Sequence, residues 1–160
     1  MESETFQALC HAAGTVLGID PPAVTYDEQG TALLSLRLND VAITLAHQSD
    51  RCPEAALAFV DLGPPPRQLE HEAWLSLMDT NFLMGGDGTV SFACNPEGDE
   101  AILQCAYPLA TVTGEGLVDS LGALAMLARR WQRDHFLGGD TDTPGWHAGR
   151  SASVASSHLA

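Results

Sequence analysis

The sequence contains no lysine, and its basic side chains are seven arginines set against 21 acidic residues. The formal charge of −14 excludes a nucleic-acid-binding role, because such proteins need a basic surface to displace counterions from phosphates. It excludes attachment to anionic membrane surfaces on the same grounds. Long apolar runs are missing as well. The longest stretch without Asp, Glu or Arg, Thr5–Ile19, contains His11, Gly14 and Gly18 and falls short of the ~20 apolar residues a spanning helix requires. Glu2 and Glu4 stand where a secretory leader would carry positive charge, so a cytoplasmic location is expected, with all four cysteines reduced. What the chain does have is an apolar fraction of 45% over 160 residues, enough for the core of one domain.

Signatures of catalysis and metal binding are sparse. His71-Glu72-Ala73-Trp74-Leu75 begins like a helical zinc-protease motif, but Leu75 occupies the position of the second histidine, and one ligand cannot hold zinc at a three-ligand site. Cys10, Cys52, Cys94 and Cys105 include no Cys-x-x-Cys pair. If Cys94 and Cys105 lie on one hairpin turning near Glu97, Cys94 faces about Glu100. That leaves the two thiols roughly 17 Å apart along the strand, at ~3.4 Å per residue, beyond the ~4.4–6.8 Å Cα separation of a disulfide. Gly85-Gly86-Asp87-Gly88 lacks the Lys-Ser/Thr of a phosphate loop and precedes a strand rather than a helix. Asp140-Thr141-Asp142 is not a completed calcium loop. No metal and no cofactor are expected. A Cys–His pair in a small cytosolic thiol enzyme stays open as an alternative, since its partners need only meet in space.

Hydrophobic periodicity predicts the elements. Phe6, Leu9, Cys10, Ala13, Val16 and Leu17 form one stripe of a helix at about 3–17, ended by Gly18 and Pro21-Pro22. Alternation marks strands at Thr31–Leu38 and Asp40–His47, joined by a tight Asn39-Asp40 turn, and a third, alanine-rich strand at Glu54–Leu62. Pro64-Pro65-Pro66 is a stiff break. A second helix over Arg67–Met84 carries His71, Trp74, Leu75, Met78 and Phe82 on one stripe, with Leu77 and Met84 on part of another. An apolar surface this wide requires burial on two sides. Thr89–Cys94 and Glu100–Tyr107 read as a hairpin. A last helix from Thr113 to about Phe136 repeats Leu117, Leu121, Leu124, Ala128 and Trp131. Glu115 lies near its positive end, and Arg129, Arg130 and Arg133 lie near its negative end. The expectation is one α+β domain over 1–136, with a mainly antiparallel sheet and helices packed on it, and a disordered tail over 137–160.

This order, with Trp74-Leu75-Ser76-Leu77-Met78-Asp79-Thr80-Asn81-Phe82-Leu83 followed by the Gly85–Gly88 turn and the strand Thr89–Cys94, resembles the class I type III secretion chaperones of the Tir-chaperone (CesT-like) family. The family has a Leu-rich helix with an Asn near its end at this place, then a glycine-rich turn, then an apolar strand. The resemblance covers about residues 3–136; the alanine-rich third strand and the tail are departures. It implies a bacterial cytoplasmic homodimer, not an enzyme, built largely through the middle helix, with Trp74, Leu77, Met78, Asn81, Phe82 and Val90 at the interface. It also implies a client, the N-terminal segment of a type III effector. That segment would be held extended and export-competent against apolar residues such as Phe6, Leu9, Leu33, Ile43, Leu45 and Ile102. A third reading keeps the chaperone architecture but makes the client a transcriptional control protein that the dimer sequesters.

Overall fold

The apolar periods resolve into three helices and six strands among the residues that the computed structural model describes, namely 2–19, 23–84, 90–96 and 98–137. In chain order they are α1 (Glu2–Leu17), β1 (Thr25–Tyr26), β2 (Ala32–Leu38), β3 (Val41–His47), β4 (Ala55–Gly63), α2 (Glu70–Met84), β5 (Val90–Cys94), β6 (Ala101–Pro108) and α3 (Gly114–Asp134). The strands form one antiparallel sheet in the order β1-β2-β3-β4-β6-β5. This is the α+β architecture that the sequence predicts. The Pro21-Pro22 stop, the Gly85–Gly88 turn and the tail beyond Leu137 lie outside the described residues.

Local chemistry places the chain reversals. Gly18 ends α1 in the left-handed region, with its N–H on the Thr15 carbonyl and the Ile19 N–H on the Gly14 carbonyl. Asn39 and Asp40 both take positive φ, as the predicted two-residue hairpin turn demands. Periodicity gave no sign of β1, because two residues carry no period. It exists because the Asp27 carboxylate accepts from the backbone N–H of Thr31 and of Gln29, both at 2.8 Å. That turn lays Thr25 and Tyr26 against Leu33 and Ala32. The same bonds, Thr31 first, hold the Asp27 carboxyl below its usual range.

The alanine-rich strand, the least strand-like by composition, runs through the middle of the sheet between β3 and β6. Ala56 and Ala58 are fully buried, and α3 packs on β4. Small side chains there let the helix approach, so tertiary packing overrides weak β propensity. The helix-covered face carries Leu34, Ile43, Leu45, Val60, Leu62 and Leu103, all buried. Over them lie Phe6, Leu9, Cys10 and Ala13 of α1, and Leu117, Leu121, Leu124, Ala128 and Trp131 of α3. Val16, placed on the α1 stripe by spacing, is about half exposed, since the stripe leaves the core at the last turn. Thr113 caps α3, its hydroxyl accepting from the Gly116 N–H at 3.1 Å.

The two end helices approach closely at Gly114. A β-carbon built there would stand 2.7 Å from the Ala12 carbonyl carbon and its β-carbon. Gly114→Ala is therefore expected to lower stability by about 1–3 kcal/mol through overpacking. A reduced urea midpoint with an unchanged slope would record it.

Candidate functional site

α2 packs beside β5, an edge strand of the sheet. Ala73 and Leu77 face the chain's own core and are buried. One turn on, Asn81 reaches the edge strand: its Nδ2 donates to the Phe92 carbonyl oxygen at 2.8 Å, and its Oδ1 accepts from the Phe92 N–H at 2.6 Å. The side chain thus supplies the two bonds a neighbouring strand would have made. With that face turned inward, the opposite stripe points outward. Phe82 is 84% exposed and Met78 65%, and Leu75 and Leu83 are about half exposed.

The second apolar surface is the sheet face away from α1 and α3. Register lines up Leu33, Ala46, Leu57 and Ala106 in one row, and Ser35, Thr44, Phe59, Gln104 and Ser91 in the next. Leu33, Leu57, Phe59 and Ile102 on this face are half-buried. The face ends at β2, where β1 pairs only with Ala32 and Leu33. The edge from Leu34 to Leu38 has no strand partner among the described residues. An extended peptide can add there through main-chain bonds and lay alternate side chains on the face.

The residues expected at an interface are therefore divided. Met78 and Phe82 stand on the exposed stripe. Trp74 and Val90 are half-buried and pack against the core. Leu77 is a core residue and Asn81 is engaged with Phe92, because the sparser of the two α2 stripes is the one turned inward. Leu75 and Leu83 complete the exposed stripe; Leu75 was legible from its spacing. Among the residues expected to meet a client, Leu33 and Ile102 lie on the uncovered sheet face. Phe6, Leu9, Ile43 and Leu45 are buried under the helices instead, with Phe6 stacked on the His47 ring at 5.4 Å between centroids. Alternation identifies opposite faces of a strand but not which face a helix covers. Leu57 and Phe59 belong to the surface, and their separation from Val60 and Leu62 by alternation was the available signal.

The thiols are dispersed. Cys94 pairs in register with Ala101, and Cys105 with Val90, so the two sit at opposite ends of the hairpin, and no disulfide joins any of the four cysteines. Cys10 is fully buried, and burial pushes its thiol up to about 12. A polar cavity of about 240 Å³ is lined by Gln29, Thr31, Gln48, Asp50 and Arg51 and contains neither thiol nor imidazole. Among the described residues no group of three or more His, Cys, Asp or Glu could hold a metal ion. None of their helices is long and apolar enough to cross a membrane.

Comparison with known proteins points one way. The model of the Tir chaperone protein (CesT) family matches residues 11–132. A chain of the ExsC–ExsE complex is 21% identical, with a TM-score of 0.63 over 81% of this chain and 92% of that chain. A chain from the complex of the Yersinia pestis type III secretion chaperone SycH with a stable fragment of YscM2 is 18% identical, with a TM-score of 0.57 over 78% and 98%. A chain of the ExoT–SpcS complex from Pseudomonas aeruginosa is 20% identical, with a TM-score of 0.53 over 79% and 96%. At these identities the likeness is one of fold. No curated protein matches the sequence.

Three outcomes are expected from this geometry. Asn81→Ala removes both bonds to Phe92 and should cost about 1–3 kcal/mol, with hydrogen exchange accelerated selectively at the Phe92 amide. In thiol labelling at pH 8, exposed Cys94 should react first, and Cys10 should react only on unfolding. Because the folded state raises the Cys10 pKa, its contribution to stability is full below the unfolded thiol value of ~8.5. It should fade as pH climbs from there toward about 12, so an alkaline denaturation series in the wild type and Cys10→Ala checks the sign.

Proposed function

The chain belongs to the Tir chaperone (CesT) family, and from that premise we propose that it serves a type III secretion system as a chaperone without catalytic activity. It holds the N-terminal segment of a secreted effector in extended form, as a homodimer in the bacterial cytoplasm, and keeps that segment export-competent. The observation that carries this reading is the α2 stripe. Phe82 and Met78 are among the most exposed large apolar side chains of the described residues, and they sit on a helix whose other face is already committed to the core. Pairing two such stripes removes apolar area from water at ~25 cal/mol per Å². The uncovered sheet face and the open β2 edge supply the client surface, with Leu33, Leu57, Phe59 and Ile102 as apolar contacts. The net charge of −14 keeps an assembly with so much apolar surface soluble and favours basic client segments.

Chemistry finds little foothold by comparison. The buried Cys10 thiol is protonated at neutral pH, and the thiolate is the nucleophilic form.

Light scattering on the purified chain should give at least a dimer at micromolar concentration, and Met78→Glu with Phe82→Glu should remove the α2-dependent association while leaving the chain folded. Co-expressed effector should be protected from protease over its N-terminal segment. Leu57→Asp with Phe59→Asp should weaken that protection at least tenfold while leaving the dimer intact. A wild-type monomer would defeat the proposal, as would a client unaffected by changes on the sheet face. If pull-down from native cytosol captures a transcriptional control protein and no exported protein, the same surfaces serve the regulatory reading instead.

A further inference from the structure

The outer face of α3 carries a charge pattern that complements the helix dipole, and the side chains that make it stay exposed. Glu115, Asp119, Gly122, Met126, Arg129 and Arg133 follow at spacings of four, three, four, three and four, which keeps them on one line along the helix. Glu115, Asp119, Met126, Arg129 and Arg133 are exposed, Met126 to 69%. The opposite side of the helix carries Leu117, Leu121, Leu124, Ala128 and Trp131 into the core. The line is therefore acidic at its N-terminal end and basic at its C-terminal end, with a glycine and a protruding methionine between.

Gly122 needs explaining. A glycine inside a helix costs about 1 kcal/mol relative to alanine. At Gly114 the close approach of α1 explains the missing side chain, but at Gly122 nothing lies within 4 Å of the position a β-carbon would take. Its left-over space opens outward. The neighbouring basic groups are only lightly engaged: Arg133 pairs with the adjacent Asp134 at 3.3 Å with its own side chain 73% exposed, and Arg130 lies over the Phe136 ring.

We propose that this face is a self-complementary docking surface for α3 of a second copy of the chain, packed antiparallel about a two-fold axis. The spacing reads the same in both directions, as an isologous contact requires. Centred between Gly122 and Met126, the pairing sets Glu115 against Arg133 of the other copy, Asp119 against Arg129, and Met126 into the gap over Gly122, each contact occurring twice. A parallel pairing would bring like charges together, so the orientation is specified. The surface is separate from the α2 stripe and does not depend on it. If both operate, α2 dimers associate further through α3.

The test is sedimentation equilibrium of the full chain, in the wild type and in the Met78→Glu/Phe82→Glu background, with charge-reversed partners. Arg129→Glu/Arg133→Glu makes the face wholly acidic, and Glu115→Arg/Asp119→Arg makes it wholly basic. Each alone should lose the α3-dependent association by at least tenfold, and an equimolar mixture should recover it as a mixed assembly. Association in the wild type should weaken as salt is raised to ~0.5 M, which shortens the screening length to a few ångströms. Gly122→Leu separates association from folding. Its thermal midpoint should be no lower than wild type, because the position is open, yet the contact should be lost. The proposal fails if the mixture associates no better than its components, or if the wild type shows no association beyond that removed by the α2 changes.

Discussion

Asn81 ties a helix to a strand edge, and much of the molecule's outward character follows from that tie. Its carboxamide satisfies both main-chain groups of Phe92, which would otherwise stay open at the rim of the sheet. The bond sets the roll of α2 about its axis. With Ala73 and Leu77 inward, Met78 and Phe82 have nowhere to go but out. It also closes β5 to strand addition at that point, since an edge residue whose N–H and C=O are taken cannot template another chain. Among the described residues, the β2 edge on the far side of the sheet from α2 stays open along Leu34–Leu38.

The sheet thereby divides its labour. One face is filled by α1 and α3, and its strands contribute branched and aliphatic side chains that the helices cover completely. The other face is half apolar and half small or polar, with Leu57 and Phe59 beside Thr44, Ser35 and Gln104. Such a face is too polar to drive a buried core and too apolar to be indifferent to a passing peptide. For the proposed client, backbone pairing at the edge would supply affinity that does not depend on sequence, while the side-chain rows would supply selectivity. That combination suits the proposed role of holding a stretch of extended chain.

Much of this was legible in the residues themselves. Alternation in Ala32–Leu38 and Val41–His47, the Asn39-Asp40 turn, and the four-three repeat from Leu117 to Trp131 each reported their element, because burial on one side imposes a period that composition preserves. The resemblance carried by Trp74–Leu83 and the strand after it led to the right family. Less legible was the standing of β4. Its alanines look weak by propensity, yet they occupy the centre of the sheet because α3 needs room. β1 left no trace at all, being the product of one carboxylate and its turn. The resemblance implies client contacts at Phe6, Leu9, Ile43 and Leu45, which the fold buries under its helices instead.

The primary structure by itself determined which residues share a face, the order of elements, the strongly negative charge, and the surplus of apolar surface on the middle helix. These follow from periods of 2.0 and 3.6 residues and from counting charges, and they survive whatever the rest of the chain does. Only the tertiary structure decided which of two apolar faces on α2, and which of two faces on each strand, would be covered. That choice depends on contacts between segments far apart in sequence, such as Asn81 with Phe92, α3 with β4 and Gly114 with Ala12. No local pattern encodes it.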